Sequence, residues 1–310
     1  SIYGKLNADR SNAILVFHAL TGSSKISEWW GDVLGEDLGL DISKYAFVCV
    51  NYLGSCYGST SAGSLRKRST SPGETLPVIT TRDIARTNFH LMPFLGIRKF
   101  RAVVGASVGG MLALQFVSDF PEASHKCVAI GAVPLPPMGL ALNHLQRQAL
   151  MSGDIEMARK IAMISYKGSE FLEERFSRNP NRNGEKPEND HESRFDVAGY
   201  LDHQGDIFRS RFDIESYKLI TKAMDLFDLT DTEISRIEAE VSLVGISTDW
   251  LFPARDVQKF NEKLTSLGVN SRYVEFESND GHDAFLSDVK TMNDILKEAI
   301  GGRSQTNIVV

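Results

Sequence analysis

The chain has 310 residues, 42% of them hydrophobic and 24% charged, with 34 Lys+Arg against 40 Asp+Glu for a formal net charge of -6. This is the composition of a folded globular protein; it excludes disorder or a fibrous repeat as the main organisation and allows one large α/β domain or two smaller ones. The acidic balance argues against a nucleic-acid partner, which would need clustered Lys and Arg, and the one dense run, Arg66-Lys67-Arg68, reads as a solvated loop.

In chain order, short β-rich apolar runs lie at Ala13–Phe17, 45–50, 102–104 and 127–130, the pattern of strands buried on both faces. Residues 81–95 and 108–120 between them read as crossover helices, which makes the sheet mostly parallel; Pro93 is expected to weaken the end of the first. From 134 to 233 no β-rich run occurs, and helical spacing dominates, as in Ile155, Ala158, Ile161, Ala162 and Ile164. Within this helical insertion residues 179–194 are polar and broken by Pro and Gly, which predicts a mobile surface loop whose charges need no functional explanation. Strand signals return at 241–246 and 272–276 with a helix over 254–267 between them, then a final helix near 295–300 and a loose tail over 301–310. The expected organisation is an α/β core over 1–133 and 234–300, interrupted by a helical lid over 134–233.

Cys49, Cys56 and Cys127 are an odd number without paired spacing, so a reducing compartment fits, and Cys49 and Cys127, in predicted strands, read as core residues rather than nucleophiles. The longest apolar stretch, 127–142, is shorter than the ~20 residues that span a bilayer and contains Pro134, Pro136 and Pro137. The N-terminal Ser1-Ile2-Tyr3-Gly4 does not place a charged segment before an apolar one, and no Asn-x-Ser/Thr acceptor occurs. A cytoplasmic protein with no membrane partner is therefore expected. The seven histidines are scattered with no ligand pair, so no metal is expected.

Gly105-Ala106-Ser107-Val108-Gly109 matches Gly-x-Ser-x-Gly directly after a buried strand and directly before a helix. At such a turn small residues let the backbones approach, the serine hydroxyl projects from the sheet, and the helix N-terminus favours developing negative charge. Ser107 is the candidate nucleophile. Asp249 follows the next late strand and His282 follows the last, giving the order Ser, Asp, His of an α/β-hydrolase fold. His282 would take the Ser107 proton, and Asp249 would fix its tautomer and stabilise the imidazolium. The Val108 N–H, and by position the Leu20 N–H in His18-Ala19-Leu20-Thr21-Gly22, would hold the oxyanion. Alone, each residue would more often be structural: Asp249 a turn or cap, His282 a surface side chain. Their joint placement favours catalysis.

Together with Asn51-Tyr52-Leu53-Gly54-Ser55-Cys56-Tyr57-Gly58-Ser59-Thr60, Arg82-Asp83, Asp249-Trp250-Leu251-Phe252-Pro253 and Gly281-His282-Asp283, these segments make the chain resemble the homoserine O-acetyltransferase family over nearly its whole length. Tyr200-Leu201-Asp202-His203-Gln204-Gly205 and Arg211-Phe212-Asp213 are similar to that family's lid segments. The resemblance implies acyl transfer from acetyl-coenzyme A, a co-substrate rather than a bound cofactor, to the hydroxyl of homoserine through an acyl-serine, in methionine biosynthesis, by a homodimer. It also implies that Arg159 and Tyr166 line the substrate pocket, with Arg159 clamping the amino-acid carboxylate and Asp283 pairing with its ammonium. Seven residues apart, Arg159 and Tyr166 would share a helix face. Without the family, Arg159 would read as a surface cation paired with Glu156, and Tyr166 as a packed aromatic.

The chain also departs from that family. Its usual Gly-Gly-Ser-Met-Gly-Gly is here Gly105-Ala106-Ser107-Val108-Gly109-Gly110, the connection from Gln146-Arg147-Gln148 to Arg159 is shorter, and Ser61-Ala62-Gly63 replaces a proline-bearing segment. Tyr3-Gly4-Lys5-Leu6-Asn7 resembles a stretch that the family carries behind an initial pair of strands, so either that pair is missing from this chain or the sheet edge is completed differently. Succinyl-coenzyme A as donor and serine as acceptor stay open, as do an esterase or thioesterase with the same triad and a non-catalytic binding protein on the same fold.

Overall fold

A computed structural model describes residues 1–61, 63–64, 77–182 and 184–301. The basic triplet at 66–68, Ala62 and the tail beyond Gly301 lie outside the described residues. The central sheet has seven strands: β1 (Ile2–Tyr3), β2 (Ala13–Phe17), β3 (Ala46–Cys49), β4 (Ala102–Ala106), β5 (Lys126–Ile130), β6 (Glu240–Ile246) and β7 (Ser271–Phe276), in the order β1-β3-β2-β4-β5-β6-β7. All pairings are parallel except β1 with β3, where Ile2 faces Val48 and Tyr3 faces Phe47. The edge that the sequence leaves in question is thus covered, beside β3, by a two-residue antiparallel strand.

The continuous apolar runs are explained by burial on both sides. In β2, Ala13, Leu15 and Phe17 join one core while Ile14 and Val16 join the other. The first core takes in helices α1 (Thr81–Leu95), α2 (Val108–Asp119) and, further along the chain, Ala254–Ser266; the second takes in Ile26, Trp30, Met292, Leu296 and Ile300. Helix α1 starts at a capping box, in which the Asp83 N–H donates to the Thr80 hydroxyl and the Thr80 N–H donates to the Asp83 carboxylate. It runs through Pro93 to a left-handed cap at Gly96, whereas the sequence predicts a weakened end. Proline in the last turn forfeits a single backbone bond there, and the Gly96 and Ile97 N–H groups restore the closing turn on Pro93 and Met92.

Between β5 and β6 the chain is helical: α3 (Pro137–Met151), α4 (Ile155–Tyr166), α5 (Ser169–Phe176), α6 (Asp196–Arg211), α7 (Ile214–Asp225) and a single turn at Asp231–Ile234. The loop before α6 carries charges that pair rather than merely face solvent: Arg194 reaches both Glu185 and Asp202, and Arg182 reaches Asp196 at 2.9 Å. Helix α8 (Ala254–Ser266) links β6 to β7, and the last helix, α9, spans Val289–Gly301. It begins earlier than its apolar pattern suggests, because Asp288 accepts the Thr291 N–H and caps the first turn.

Candidate active site

Ser107 stands between β4 and α2 with φ 58° and ψ -129°, a backbone region that a non-glycine residue occupies at a cost of roughly 1 to 3 kcal/mol. The flanking glycines make this turn possible. A Cβ on Gly105 would lie 2.1 Å from the Gly109 carbonyl oxygen, and one on Gly109 would lie 2.3 Å from that of Phe17, so any larger residue would force backbones apart. Ser107 donates its N–H to Ile130 at the end of β5 (2.8 Å), and its own carbonyl accepts from Gly110 and Met111. The side chain is 5% exposed at the C-terminal edge of the sheet.

Asp249 and His282 occupy the loops after β6 and β7, laced together by hydroxyls. Thr248 Oγ1 donates to the Ser278 carbonyl (2.6 Å) and accepts from the Gly281 N–H (3.0 Å), while the Ser278 N–H donates to Ser247 Oγ (3.1 Å). Asp249 is buried with both oxygens engaged: Oδ1 accepts from the N–H groups of Leu251 and Phe252 at 2.9 Å each, and Oδ2 lies 2.6 Å from His282 Nδ1. A carboxylate only accepts, so Nδ1 carries the proton and Nε2 presents a lone pair; Nε2 is buried and has no hydrogen-bond partner among the described residues. Burial alone would lower the His282 pKa, yet the charge and hydrogen bond of Asp249, joined by the charge of Asp283, raise it above the usual 6.5. The imidazole sits 3.3 Å from where a Cβ on Gly131 would be, and Gly131 directly follows the Ile130 that holds Ser107. One strand end therefore carries the contacts of all three residues.

The Leu20 loop is fixed from several sides. The Gly22 N–H closes a turn on Ala19 (2.9 Å), His18 Nδ1 bonds the Ala19 carbonyl (2.8 Å), and the Tyr52 hydroxyl donates to the His18 carbonyl. The His18 ring stacks on Tyr52 with centroids 3.6 Å apart, and burial pushes its pKa down to about 4, so it is neutral at pH 7. Arg211, at the C-terminus of α6, donates to the Thr21 carbonyl (2.9 Å) and to the Tyr57 hydroxyl (3.0 Å), tying the helical segment to this loop. Neither Leu20 nor Val108 spends its N–H on a backbone acceptor among the described residues.

Arg159 and Tyr166 do share a face of α4: the guanidinium carbon lies 5.9 Å from the Tyr166 ring centre and 5.0 Å from that of Phe208. Glu156 is not its partner, since that carboxylate pairs with Arg209 at 3.0 Å. The Arg159 Nε is buried without a hydrogen-bond partner, and no carboxylate pairs with Arg159 among the described residues. The Tyr166 ring centre lies 5.6 Å from that of His282. Asp283 is engaged in an ion pair with Lys167 at 2.9 Å. Lys167 has no prominence in the sequence reading; its place directly after Tyr166, where α4 ends, is the only hint of it. Tyr200 packs against Phe176, with ring centres 5.0 Å apart, and under the Arg175 guanidinium at 5.4 Å. Cys49 and Cys127 are buried, and burial pushes the Cys49 thiol up to about 12 and the Cys127 thiol up as well, which suits core residues rather than nucleophiles.

Among the described residues no helix is long and apolar enough to cross a membrane, and no cluster of His, Cys, Asp and Glu could hold a metal ion. The profile of the α/β hydrolase fold family matches residues 12–289. The homoserine O-acetyltransferase of Methanococcus vannielii is 33% identical over 342 residues, covering 99% of this chain and 69% of that protein. Among solved structures, a homoserine O-acetyltransferase from Bacillus anthracis superposes with a TM-score of 0.82 at 21% identity (98% of this chain, 92% of that one). The esterase E22 does so at 0.83 and 19% (96% and 92%). At these identities the two structures attest the fold alone.

Proposed function

The chain belongs to the homoserine O-acetyltransferase family, on the α/β hydrolase fold, and from that premise we propose that it moves an acetyl group from acetyl-coenzyme A to the side-chain hydroxyl of L-homoserine by a ping-pong route. His282 Nε2 takes the Ser107 proton as the hydroxyl oxygen attacks the thioester carbonyl. The Val108 and Leu20 N–H groups hold the oxyanion, and the thiolate of coenzyme A leaves with the proton from His282, giving acetyl-Ser107. Homoserine then enters with its carboxylate on Arg159. His282 removes its hydroxyl proton, the homoserine oxygen bonds to the acetyl carbon, the Ser107 ester bond breaks, and His282 returns the proton to Ser107. The helices between β5 and β6 have the task of keeping water from the acyl-enzyme.

The observation that carries this reading over plain ester hydrolysis is the Arg159 guanidinium, which pairs with no carboxylate among the described residues, leaves its Nε without a hydrogen-bond partner there, and packs on Tyr166 beside His282 and on Phe208. An enzyme whose acceptor is water has no use for an unpaired, half-buried cation, whereas an amino-acid carboxylate fits its fork. Coenzyme A release should be followed from acetyl- and succinyl-coenzyme A, each with homoserine, with serine and with no acceptor. Release that requires acetyl-coenzyme A and homoserine together, yielding O-acetylhomoserine, is the expected result. Acceptor-independent release would replace the reading with a thioesterase, and silence in every combination would overturn acyl transfer from coenzyme A.

A further inference from the structure

The two charged residues that the acceptor reading assigns, Arg159 and Asp283, are electrostatically unlike in their partners. The cation, Arg159, pairs with no carboxylate among the described residues, but Asp283 already has a cation: the Lys167 ammonium sits 2.9 Å from Asp283 Oδ2, with the two side chains only 10% and 16% exposed. A zwitterionic amino acid would bring a carboxylate to the first and an ammonium to the second. We infer that the Lys167 ammonium is an intramolecular stand-in for the ammonium of the acceptor, and that acceptor binding exchanges one for the other at Asp283. The inference rests on the acyl-transfer reading above and deepens it by naming a residue that sets acceptor selectivity.

Three features make the exchange workable. First, the backbone on either side is locked, so that only the lysine side chain need move: a Cβ on Gly281 would lie 2.4 Å from the Gly168 nitrogen and 2.6 Å from the Lys167 carbonyl carbon, and the Trp250 indole donates to the Lys167 carbonyl at 3.1 Å. The turn that ends α4 is thus pressed against the loop leading into His282 and Asp283. Second, the displaced ammonium has somewhere to go, because Lys167 Nζ already lies 4.5 Å from the ring centre of Phe171, a cation–π contact that survives loss of the ion pair. Third, Tyr166 joins the two ends of the site: its ring centre lies 5.9 Å from the Arg159 guanidinium carbon and 5.6 Å from the ring centre of His282, the residue before Asp283. The stand-in also has a purpose in the acyl-enzyme. Without it a mostly buried carboxylate would wait uncompensated beside His282 until the acceptor arrived, which is a costly arrangement.

The test compares two acceptors on the same acyl-enzyme: homoserine, and 4-hydroxybutyrate, which is homoserine without its ammonium. 4-Hydroxybutyrate leaves the Lys167–Asp283 pair intact, whereas homoserine must break it. Replacing Lys167 by Met or Gln keeps a stem over Phe171 but removes the competitor. The ratio of kcat/KM for homoserine to that for 4-hydroxybutyrate should then rise by about tenfold, equivalent to about 1.4 kcal/mol for a partly buried ion pair that no longer has to be broken. Lys167→Arg retains a cation and should return the ratio to the wild-type range, which a loss of packing alone would not do. Because both acceptors are compared on one preparation, a partly unfolded variant does not disturb the ratio. A ratio that stays level or falls in both neutral variants overturns the exchange while homoserine-dependent turnover leaves acyl transfer standing. Absence of homoserine-dependent turnover in the wild type removes the acyl-transfer reading and this inference with it.

Discussion

His18 links the acid stability of the protein to the loop that would hold the oxyanion. It is fully buried on Tyr52, its Nδ1 is bonded to the Ala19 carbonyl, its Nε2 has no hydrogen-bond partner among the described residues, and its pKa is held down at about 4 against 6.5 in an unfolded chain. A depressed folded-state value means that the unfolded chain binds the proton first. Stability from this group is therefore complete above pH 6.5 and is lost as pH falls towards 4. Working through that linkage, the loss between pH 7 and pH 5 is about 2 kcal/mol, a sizeable part of the roughly 5 to 15 kcal/mol that holds a domain folded. Other groups cancel when the wild type is compared with a variant of His18 alone, among them His125, whose lowered pKa acts in the same sense. Asp41 and Glu233, both held near 2 by their hydrogen bonds, change protonation only at lower pH, and His282, whose pKa is raised, acts in the opposite sense by losing its contribution as pH rises. The clean measurement is urea unfolding of the wild type and of His18→Gln at pH 7 and pH 5. The difference in ΔG between the two proteins should shrink by about 2 kcal/mol at the lower pH. An equal difference at both values would refute the buried, neutral histidine.

Asp249→Asn removes the charge that fixes the His282 tautomer, so kcat should fall by about four orders of magnitude, as in other Ser-His-Asp enzymes. In the wild type, activity should rise with pH through a midpoint above 6.5, because the neutral imidazole is the base; in the variant the residual activity should have its midpoint lower, and an unchanged midpoint would speak against the pair. Gly109→Ala places a Cβ 2.3 Å from the Phe17 carbonyl oxygen, at the base of the Leu20 loop, and should lower Tm by about 5 °C or more as backbone gives way; a variant with native Tm and activity would contradict that packing.

The strands were legible in the sequence because both sheet faces are buried, so that Ala13–Phe17 and its fellows stand out as unbroken apolar runs. The nucleophile turn was legible because the glycines at 105 and 109 leave no room for alternatives. What the sequence conceals is whatever depends on pairing across long separations. The two-residue β1 has no pattern of its own and exists through its partner β3. The loop at 179–194 reads as solvated charge until Arg194 is seen to reach Glu185 and Asp202. Lys167 is invisible as a site residue because its significance comes from Asp283, on an element more than a hundred residues away, and from two glycines, Gly168 and Gly281, that bring their backbones together. Arg159 is the reverse: local spacing offers it Glu156, and only the fold shows that carboxylate taken by Arg209.

In the proposed reaction Ser107 carries the acyl group between two substrates. Intact-protein mass spectrometry after a brief exposure to acetyl-coenzyme A, followed by peptide mapping, tests it directly. One added acetyl group is expected on the peptide containing Ser107, discharged by homoserine as O-acetylhomoserine and absent in Ser107→Ala. Acetylation elsewhere, or O-acetylhomoserine formed at the wild-type rate by Ser107→Ala, would contradict it.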